Sequence, residues 1–431
     1  MIDPSDVVVV AGARTPFIRS WSSFRHIHPV ELGRLVTREV VERAEIDPGD
    51  IDEVIAGNIA TPADSSNIAR VIQLRAGIPQ RTPAFTVNRN CASGLQCLVD
   101  AAYRIQAGHA DLVVVVAVES MSSVPLLLKP SAEKIWVDAG RTRSALGRAA
   151  TLARLRPRHL VPESALRRGL ADPVSGLNMG ETAEKLAREF GIGREEQDHF
   201  ALRSHQQAAA AWAEGKMADE VLPVPLAPEY TAVADRDNGI RDSQTMEALA
   251  KLSPIFDRRH GTVTAGNASQ ITDGAVALVL ASRRYASERM LGNMGTIRSW
   301  GFAGCDPSRM GLGPVLATPR ALARAGNLPL SQIGLVEINE AFSAQVLACL
   351  KAFGSREFSR KYLGGEAVGE IDPSRLNVNG GAIALGHPVG ASGARLVLTL
   401  LHEMGRRDQV LGLATLCVGG GQGAAMVLER S

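Results

Sequence analysis

The sequence predicts an α/β fold with a duplicated core and an inserted, mainly helical segment. Short, nearly continuous runs of β-branched residues alternate with helical patterns. This alternation indicates strands that are covered by helices on both faces, and we expect these strands to be largely parallel. The same series of parts occurs twice along the chain. A chain of 431 residues is also expected to divide into two or three structural units.

The first series occupies the amino-terminal part of the chain. It begins with a helical pattern from Glu31 to Ala44. The apolar run Ile51 to Gly57 predicts a strand, and a glycine-rich loop then opens a helix at Cys91. The apolar run Leu112 to Val118 completes the series as a further buried strand.

The second series repeats this order near the carboxyl terminus. A helical pattern, Pro319 to Ala325, precedes the apolar run Ile333 to Asn339. A glycine-rich loop then opens a helix near Ser392, and the run Val410 to Leu416 predicts another buried strand. The repetition favours two α/β halves of related construction.

A stretch of different character, Ser123 to Thr264, lies between the two series. It is rich in arginine and helix-forming residues and carries few strand signals, so we interpret it as an inserted loop domain. The predicted units are an N-terminal half of residues 1–122 with 265–291, the insertion 123–264, and a C-terminal half of residues 292–431.

A basic helical pattern inside the insertion has two interpretations. Between Ser144 and Arg158, leucines and alanines alternate with Arg148, Arg154, Arg156 and Arg158. This pattern suits an Arg-rich surface helix with one solvated face. It also suits a basic amphipathic segment that meets a membrane surface, a partner subunit or the phosphates of a large anionic substrate.

Charge and cysteine content limit the function classes. A net charge of +2 gives no overall signal for a polyanionic partner such as nucleic acid. Five widely spaced cysteines without a CxxC pair fit neither a disulfide framework nor a zinc site, and predict a reduced, cytoplasmic enzyme. No basic region precedes a long apolar stretch near Met1, so no secretory signal is expected, and no run of eighteen apolar residues predicts a membrane span.

Cys91 is the first candidate for chemistry. Small residues follow it in the predicted first helical turn, where the helix dipole and free amides are expected to lower the pKa of a thiol and favour the nucleophilic thiolate. A buried, inert cysteine is the alternative, and we accept that alternative for Cys97 and Cys349, which lie deep in helical patterns.

His387 and Cys417 are candidates to act with Cys91. His387 lies between Gly386 and Pro388 in a glycine-rich turn, where it can take the proton of Cys91 and donate a hydrogen bond to an oxyanion. Cys417 ends an apolar run and precedes three glycines, so backbone amides there can approach a ligand closely. Two cysteines and one histidine suggest acyl transfer through a thioester, with a separate acid and base.

Seven motifs in order carry a family resemblance over the whole chain. They are Gly12 to Phe17, the Cys91 segment, Met179 to Glu184, Thr264 to Ser269, Asn339 to Phe342, Gly386 to Pro388 and Cys417 to Gly421. With these motifs in register the chain resembles the thiolases. The resemblance implies a duplicated, five-layered α-β-α-β-α core with an inserted loop domain.

The resemblance also implies roles for individual residues. Cys91 would take the acyl group, His387 would activate it, and Cys417 would exchange protons with the acetyl-CoA α-carbon and the CoA thiol. Asn339 would hold a water that forms an oxyanion hole with His387, and the amides of Cys91 and Gly419 would form a second. Ser269, Met179 and Phe342 match positions along the pantetheine tunnel, and Arg241 matches one near the nucleotide.

The activity that the resemblance implies is cleavage of 3-ketoacyl-CoA by CoA in fatty-acid β-oxidation. CoA and acyl-CoA are then substrates, no cofactor or metal is implied, and a homodimer or homotetramer is expected. The alternatives are an acetoacetyl-CoA-forming, biosynthetic thiolase and a non-catalytic thiolase-like binding protein, although intact Cys91, His387, Cys417 and Asn339 argue against the last.

Two features bear on the subgroup. Many short-chain biosynthetic thiolases carry histidine where this chain has Asn178. The basic insertion, residues 129–168, resembles the thiolase subunit of fatty-acid oxidation complexes, where this region contacts a membrane or a hydratase/dehydrogenase partner. Some of those subunits, however, have histidine at the position of Asn339.

Overall fold

The α/β class predicted from the sequence is confirmed by a computed structural model that describes residues 6–430. Residues 1–5, which include the segment considered for a secretory signal, and residue 431 lie outside the described part. The predicted limits of the three units remain a prediction.

Strands of the main sheet lie in both halves of the chain. They are β1 (Val7–Arg14), β2 (Ile18–Arg19), β3 (Glu53–Gly57), β4 (Ala84–Val87), β5 (Leu112–Glu119), β10 (Thr272–Ser282), β11 (Gly295–Gly304), β12 (Leu335–Ile338), β13 (Leu411–Val418) and β14 (Gln422–Glu429). Two short pairs lie apart from this sheet, namely β6 (Leu126–Leu127) with β7 (Glu163–Ser164), and β8 (Val224–Pro225) with β9 (Val233–Ala234).

Helices occur in all three predicted units. The first unit contains α1 (Pro29–Arg43), α2 (Ile68–Arg75), α3 (Ser93–Gln106) and α10 (Arg283–Glu288). The insertion contains α4 (Pro130–Arg141), α5 (Ala145–Leu152), α6 (Ala165–Gly169), α7 (Met179–Glu189), α8 (Arg194–Ala213) and α9 (Met246–Ala250). The last unit contains α11 (Gly313–Arg324), α12 (Ser343–Gly354), α13 (Arg356–Tyr362), α14 (Ala382–Leu385) and α15 (Ser392–Arg406).

The main sheet is mixed, and the prediction of largely parallel strands is wrong. Its strand order is β12-β13-β14-β11-β1-β10-β5-β3-β4, and within residues 6–430 only the pairs β3–β4, β3–β5 and β12–β13 are parallel. The long strand β10 is buried along its whole length and pairs antiparallel with both β1 and β5. Burial on both faces removes the polar alternation that identifies antiparallel strands, so direction could not be read from the sequence.

Alternate residues of the strands face different layers. Val113, Val115 and Ala117 of β5 pack with α3 and α15 in one cluster. Leu112 and Val114 of the same strand pack with α1 and α2 in another. In the C-terminal half, β13 and β14 contribute to the same central cluster and to a third one with α7, α11 and α12. The strands of each half therefore form one β-layer. Helices α1 and α2 cover one outer face, α3 and α15 lie between the two β-layers, and α7, α11 and α12 cover the other outer face. This is the α-β-α-β-α order that the resemblance implied.

The two central helices cross where each carries a glycine in its first turn. A Cβ atom on Gly94 of α3 would lie 2.8 Å from the backbone nitrogen of Ala394, and one on Gly393 of α15 would lie 2.7 Å from that of Leu95. Real Cβ atoms are not found so close to a backbone atom. The glycines therefore allow the amino-terminal ends of α3 and α15 to meet at the centre of the molecule.

The insertion is mainly helical, as predicted, but its basic stretch is not one helix. Helix α5 begins after Ser144, whose hydroxyl accepts a hydrogen bond from Gly147 N, and it ends at Leu152. Pro157 then begins a short 3₁₀ turn. No helix within residues 6–430 has the length and hydropathy needed to cross a bilayer.

A buried ion cluster ties the insertion to the first strand. The guanidinium of Arg14 in β1 contacts a Glu220 carboxylate oxygen at 2.6 Å and an Asp237 oxygen at 2.7 Å. All three side chains are at most 2% exposed. Buried charges of this kind are tolerated because each is paired and hydrogen-bonded.

Candidate active site

A cavity of about 820 Å³ lies where both halves and the insertion meet. It is mostly apolar, and the three chemically reactive side chains predicted from the sequence, Cys91, His387 and Cys417, all face it. Cys91 and His387, which come from opposite ends of the chain, thus reach the same cavity. Among its other lining residues are Arg167, Leu170, Asn178, Met179, Phe256, Ser269, Ile271, Met310 and Phe342.

Cys91 lies in the turn just before α3. Asn90 adopts a left-handed conformation with φ 45°, and its side-chain amide donates to the Gly419 carbonyl at 2.8 Å. Ser93 closes the turn by accepting a hydrogen bond from Arg89 N and donating one to the Asn90 carbonyl. These contacts fix Cys91 against the loop that follows β13.

The expectation of a lowered Cys91 pKa is wrong for the free enzyme. Burial raises the pKa of the Cys91 thiol, and the amide hydrogen bonds from Gly419 and Cys91 itself only partly oppose this effect. Helix α3 begins at Ser93, so Cys91 stands just outside the first turn whose dipole was expected to favour the thiolate. The thiol therefore needs a base at the moment of reaction.

His387 is held as a neutral imidazole. Its Nδ1 lies 2.5 Å from the hydroxyl oxygen of Ser392, and its backbone N–H donates to the Gln270 carbonyl at 2.9 Å. Burial, with a smaller contribution from the charge of Arg395, lowers the pKa of His387 to about 4. A neutral imidazole can accept a proton, and the contact at Nδ1 leaves Nε2 as the nitrogen for that task.

Cys417 is near the end of β13, with its sulfur in the same cavity. Burial, followed by the neighbouring thiols of Cys91 and Cys349, raises its pKa well above the ordinary value. A thiol in this state is protonated at neutral pH. It can therefore act as a proton donor once a strong base such as an enolate forms beside it.

Asn339 and Gly419 do not line the cavity directly. Asn339 follows β12, is fully buried, and donates its backbone N–H to the Thr415 carbonyl at 3.0 Å, two residues before Cys417. Neither polar atom of its side-chain amide bonds a protein group within residues 6–430. The Gly419 amide is close enough to Cys91 to oppose the rise in the pKa of its thiol. Gly419 therefore lies beside Cys91, and Asn339 lies beside the strand that carries Cys417.

The residues predicted to hold the CoA arm divide into two sets. Ser269, Met179 and Phe342 line the cavity. Arg241 does not: it lies outside, with its backbone N–H on His205 Nδ1 at 3.2 Å. Its contact with the nucleotide stays a prediction.

Asn178, the position noted as a departure from short-chain enzymes, lines the cavity and also caps α7. Its side chain accepts from Glu181 N at 3.0 Å, and the Glu181 carboxylate accepts from Asn178 N at 2.7 Å. This reciprocal pair is a capping box. The polar cap therefore fixes the position of the neighbouring Met179.

Three residues near the site were missed by sequence reasoning. Arg167 in α6 faces the cavity and was recognised only as part of a basic region. Ser392, which contacts His387, could have been found because it stands five residues later at a helix start. Glu119 ends β5 inside an apolar run, and nothing in the sequence set it apart from a surface carboxylate.

The arrangement is suited to acyl transfer. It combines a thiol nucleophile, a neutral imidazole, a second protonated thiol and backbone amides at a loop, all in a largely apolar cavity where electrostatic interactions are strong. Within the described range, no group of three or more His, Cys, Asp or Glu side chains is arranged to bind a metal ion.

Comparison with known proteins gives a consistent result. Residues 7–284 match the family "Thiolase, N-terminal domain", and residues 291–430 match "Thiolase, C-terminal domain". A 3-ketoacyl-CoA thiolase of Citrobacter koseri is 43% identical over 98% of this chain and 96% of its own. Human mitochondrial 3-ketoacyl-CoA thiolase superposes with a TM-score of 0.85 at 36% identity, covering 99% of each chain. An acetyl-CoA acetyltransferase of Bacillus anthracis gives 0.86 at 37% identity, covering 98% of each.

Proposed function

The chain belongs to the thiolase family, and we propose that it is an acetyl-CoA C-acyltransferase that cleaves 3-ketoacyl-CoA with CoA in fatty-acid oxidation. The observation that carries this proposal is the meeting of Cys91, His387 and Cys417 in one cavity. The curated relatives named 3-ketoacyl-CoA thiolase, similar over nearly the full chain, favour the degradative activity over acetoacetyl-CoA formation.

In the first half-reaction, Cys91 attacks the 3-keto carbon. The neutral His387 takes the thiol proton, and the bond between C2 and C3 then breaks. The acyl remainder stays on the Cys91 sulfur as a thioester, and the electron pair leaves as the enolate of acetyl-CoA. Cys417 protonates that enolate, and its raised pKa supports this role because the thiol still carries its proton at neutral pH.

In the second half-reaction, the Cys417 thiolate takes the proton of an incoming CoA thiol. The CoA sulfur attacks the acyl-enzyme, the shortened acyl-CoA leaves, and Cys91 departs as a thiolate that recovers its proton from His387. One thioester is exchanged for another, so the step is nearly balanced in free energy and needs no further reactant.

Charge on the two oxyanions must be stabilised during these steps. We propose that the amides of Cys91 and Gly419 bind the oxyanion formed on Cys91 attack, which the contact between the Gly419 amide and the Cys91 sulfur supports. His387, with a water held by Asn339, would bind the enolate oxygen. The buried Asn339 amide, whose polar atoms bond no described protein group, supports this assignment.

The cavity offers a path for the pantetheine arm. We propose that Met179, Phe342 and Ser269 line that path and that Arg241 meets the nucleotide. The first three support it because they face the cavity that holds the reactive sulfurs.

A chain-length series of 3-ketoacyl-CoA substrates tests the proposed activity. Purified protein should release acetyl-CoA from substrates longer than four carbons, and Cys91→Ser should lose this activity. Cys97→Ser, at a buried thiol six residues later in α3, is the matched control and should retain it. Thiolysis restricted to acetoacetyl-CoA would contradict the degradative assignment.

A reducing, cytoplasmic site of action is also part of the proposal. All five cysteines are free thiols, which suits a reducing compartment.

We propose a homodimer or homotetramer, and a contact of residues 129–168 with a hydratase/dehydrogenase subunit or a membrane surface. Exposed apolar side chains accompany the arginines there, including Trp136, Leu146 and Leu160, which are 49%, 86% and 70% exposed. Such a mixed surface suits a partner or lipid interface. Light scattering measures the oligomer.

Two parallel assays distinguish the possible binding partners of residues 129–168. Co-sedimentation with anionic vesicles tests lipid, and pull-down with a hydratase/dehydrogenase subunit tests protein. The double charge reversal Arg154→Glu with Arg156→Glu should weaken whichever contact exists. Unchanged binding in both assays would exclude the basic stretch as the contact.

A further inference from the structure

One fully buried carboxylate close to the active site has no part in the reaction described above. Glu119 ends β5, and four N–H groups converge on it. Its Oε1 accepts from Asn58 Nδ2 at 3.1 Å and from Ala60 N at 2.9 Å. Its Oε2 accepts from Ile59 N and from Gly390 N, both at 3.1 Å. The first three donors belong to the N-terminal half, whereas Gly390 belongs to the C-terminal half.

Gly390 places this carboxylate in contact with the catalytic turn. It lies three residues after His387, and its neighbour Val389 lines the cavity. A Cβ atom on Gly390 would come within 2.5 Å of Glu119 Oε2, so a larger residue there would displace the carboxylate. The carboxylate therefore acts as a clamp between the loop after β3 and the turn that carries His387.

We propose that Glu119 is a positioning residue of the thiolase reaction, which holds the His387 turn of one half in register with Cys91 of the other. The inference rests on the proposed function. Accurate placement of a base matters because a shift of about 1 Å in a reacting group can lower a rate roughly 100-fold.

A carboxylate is the side chain that fits this position. Its two oxygens accept all four N–H groups, whereas glutamine would offer one oxygen and an NH₂ group that faces backbone donors. Asp273 and Cys91 are the titratable groups whose charges act on the same site. Burial raises the pKa of Glu119 to about 7, against the opposing effect of its amide donors, so the full acceptor capacity is present in mildly alkaline solution.

The test is a double-mutant cycle between Glu119→Gln and His387→Ala. Thiolysis by the wild-type protein, measured first, reports on the proposed function independently of Glu119. We expect Glu119→Gln to lower kcat at least tenfold while KM for the 3-ketoacyl-CoA changes less than twofold. In the His387→Ala background, the same substitution should change the single-turnover rate of Cys91 acylation less than twofold.

Glu403→Gln is the matched control, because Glu403 is a buried carboxylate at the far end of α15 that accepts from Asn379 Nδ2 at 2.9 Å. It should lower the thermal midpoint and keep kcat within twofold. The proposal is overturned if Glu119→Gln keeps kcat, if it slows both backgrounds equally, or if Glu403→Gln slows the enzyme as much.

Glu119→Asp keeps the test decisive if the glutamine variant does not fold. The shorter side chain can reach the 58–60 loop or the Gly390 amide, but not both. We expect a smaller loss of kcat with the same unchanged KM, and wild-type kcat in folded Glu119→Asp protein overturns the proposal.

Discussion

Gly94→Ala adds one methyl group at the crossing of α3 and α15. It should separate these two helices and slow the enzyme, although it removes no catalytic side chain. The new methyl carbon would lie 2.8 Å from Ala394 N and 3.0 Å from the Cβ atoms of Ala117 and Ala394. Ordinary contact begins near 3.4 Å, so α3 and α15 must move apart by several tenths of an ångström. Overpacking of this kind costs about 1–3 kcal/mol, and the better helix propensity of alanine offsets up to about 1 kcal/mol.

The kinetic effect follows from where the two helices begin. Cys91 precedes α3 and the His387 turn precedes α15, so separating the helices separates the nucleophile from its base. With a roughly 100-fold penalty for about 1 Å, a separation of several tenths of an ångström should lower kcat about 5-fold to 20-fold, with a net stability loss of about 1–2 kcal/mol. Urea unfolding gives the stability, and steady-state thiolysis gives kcat.

Two further variants frame this measurement. Gly393→Ala should behave like Gly94→Ala, because its Cβ would lie 2.7 Å from Leu95 N. Gly140→Ala in α4 is the control, since no atom lies within 4 Å of its Cβ position, and it should leave kcat unchanged. Wild-type kcat for Gly94→Ala at reduced stability would refute the link between the helix crossing and the catalytic geometry.

Three other outcomes are expected. Arg14→Met leaves Glu220 and Asp237 as buried, unpaired carboxylates, and in a urea titration it should lower the free energy of unfolding by about 3–5 kcal/mol. Arg34→Met removes the half-buried ion pair with Glu31 and, as the control, should lower the free energy of unfolding by less than about 1 kcal/mol. The pKa of Glu119 is about 7 in the folded protein and 4.5 in its ordinary state, so the folded form binds the proton more tightly and stability falls as pH rises between these values. From pH 5 to pH 8 the free energy of unfolding of the wild-type protein should fall by about 2.5 kcal/mol more than that of Glu119→Gln, and equal losses would contradict this. Cys417→Ala should still allow acylation of Cys91 by an activated acyl donor, which mass spectrometry detects. Its turnover should fall about 1000-fold or more, because no side chain then protonates the enolate or takes the proton of CoA. Retained turnover would exclude Cys417 as the residue that transfers these protons.

The sequence predicted those features that local patterns determine. Strand β5 and helix α15 begin within a residue of where the pattern of apolar residues placed them, because buried elements carry continuous or periodic apolar runs. Cys91, His387 and Cys417 were found together because each stands at a junction of an apolar run and glycines, where a side chain can face a ligand on a rigid support.

Features that depend on the surroundings were not predictable. The pKa of Cys91 is raised because burial outweighs the nearby amides, and burial depth is a property of the assembled cavity. Nothing in the sequence distinguishes Glu119 from an ordinary carboxylate, because its hydrogen-bond donors come from loops about 60 and 270 positions away in the chain. Arg241 lies on His205 rather than in the cavity because its loop packs against α8.

The duplication gives each half one corner where two parallel strands end opposite a helix start. In the N-terminal half, β3 and β5 pair at Gly57 and Ala117, and in the C-terminal half β12 and β13 pair at Ile338 and Thr415. Two residues beyond the second strand's pairing position, the first corner carries Glu119. The same step in the second corner leads to Cys417.

The two equivalent side chains face equivalent places. Glu119 accepts from Gly390, two residues before the first residue of α15, and Cys417 lies beside Cys91, two residues before the first residue of α3. The Glu119 carboxylate accepts four N–H groups and therefore fixes the backbone around it. The buried Cys417 thiol, whose pKa is raised, keeps a proton that it can transfer. The two central helices meet at their amino-terminal ends, so Glu119, which holds the turn after His387, and Cys417, which transfers protons, act on one cavity. Two halves of related construction therefore form an asymmetric reaction site.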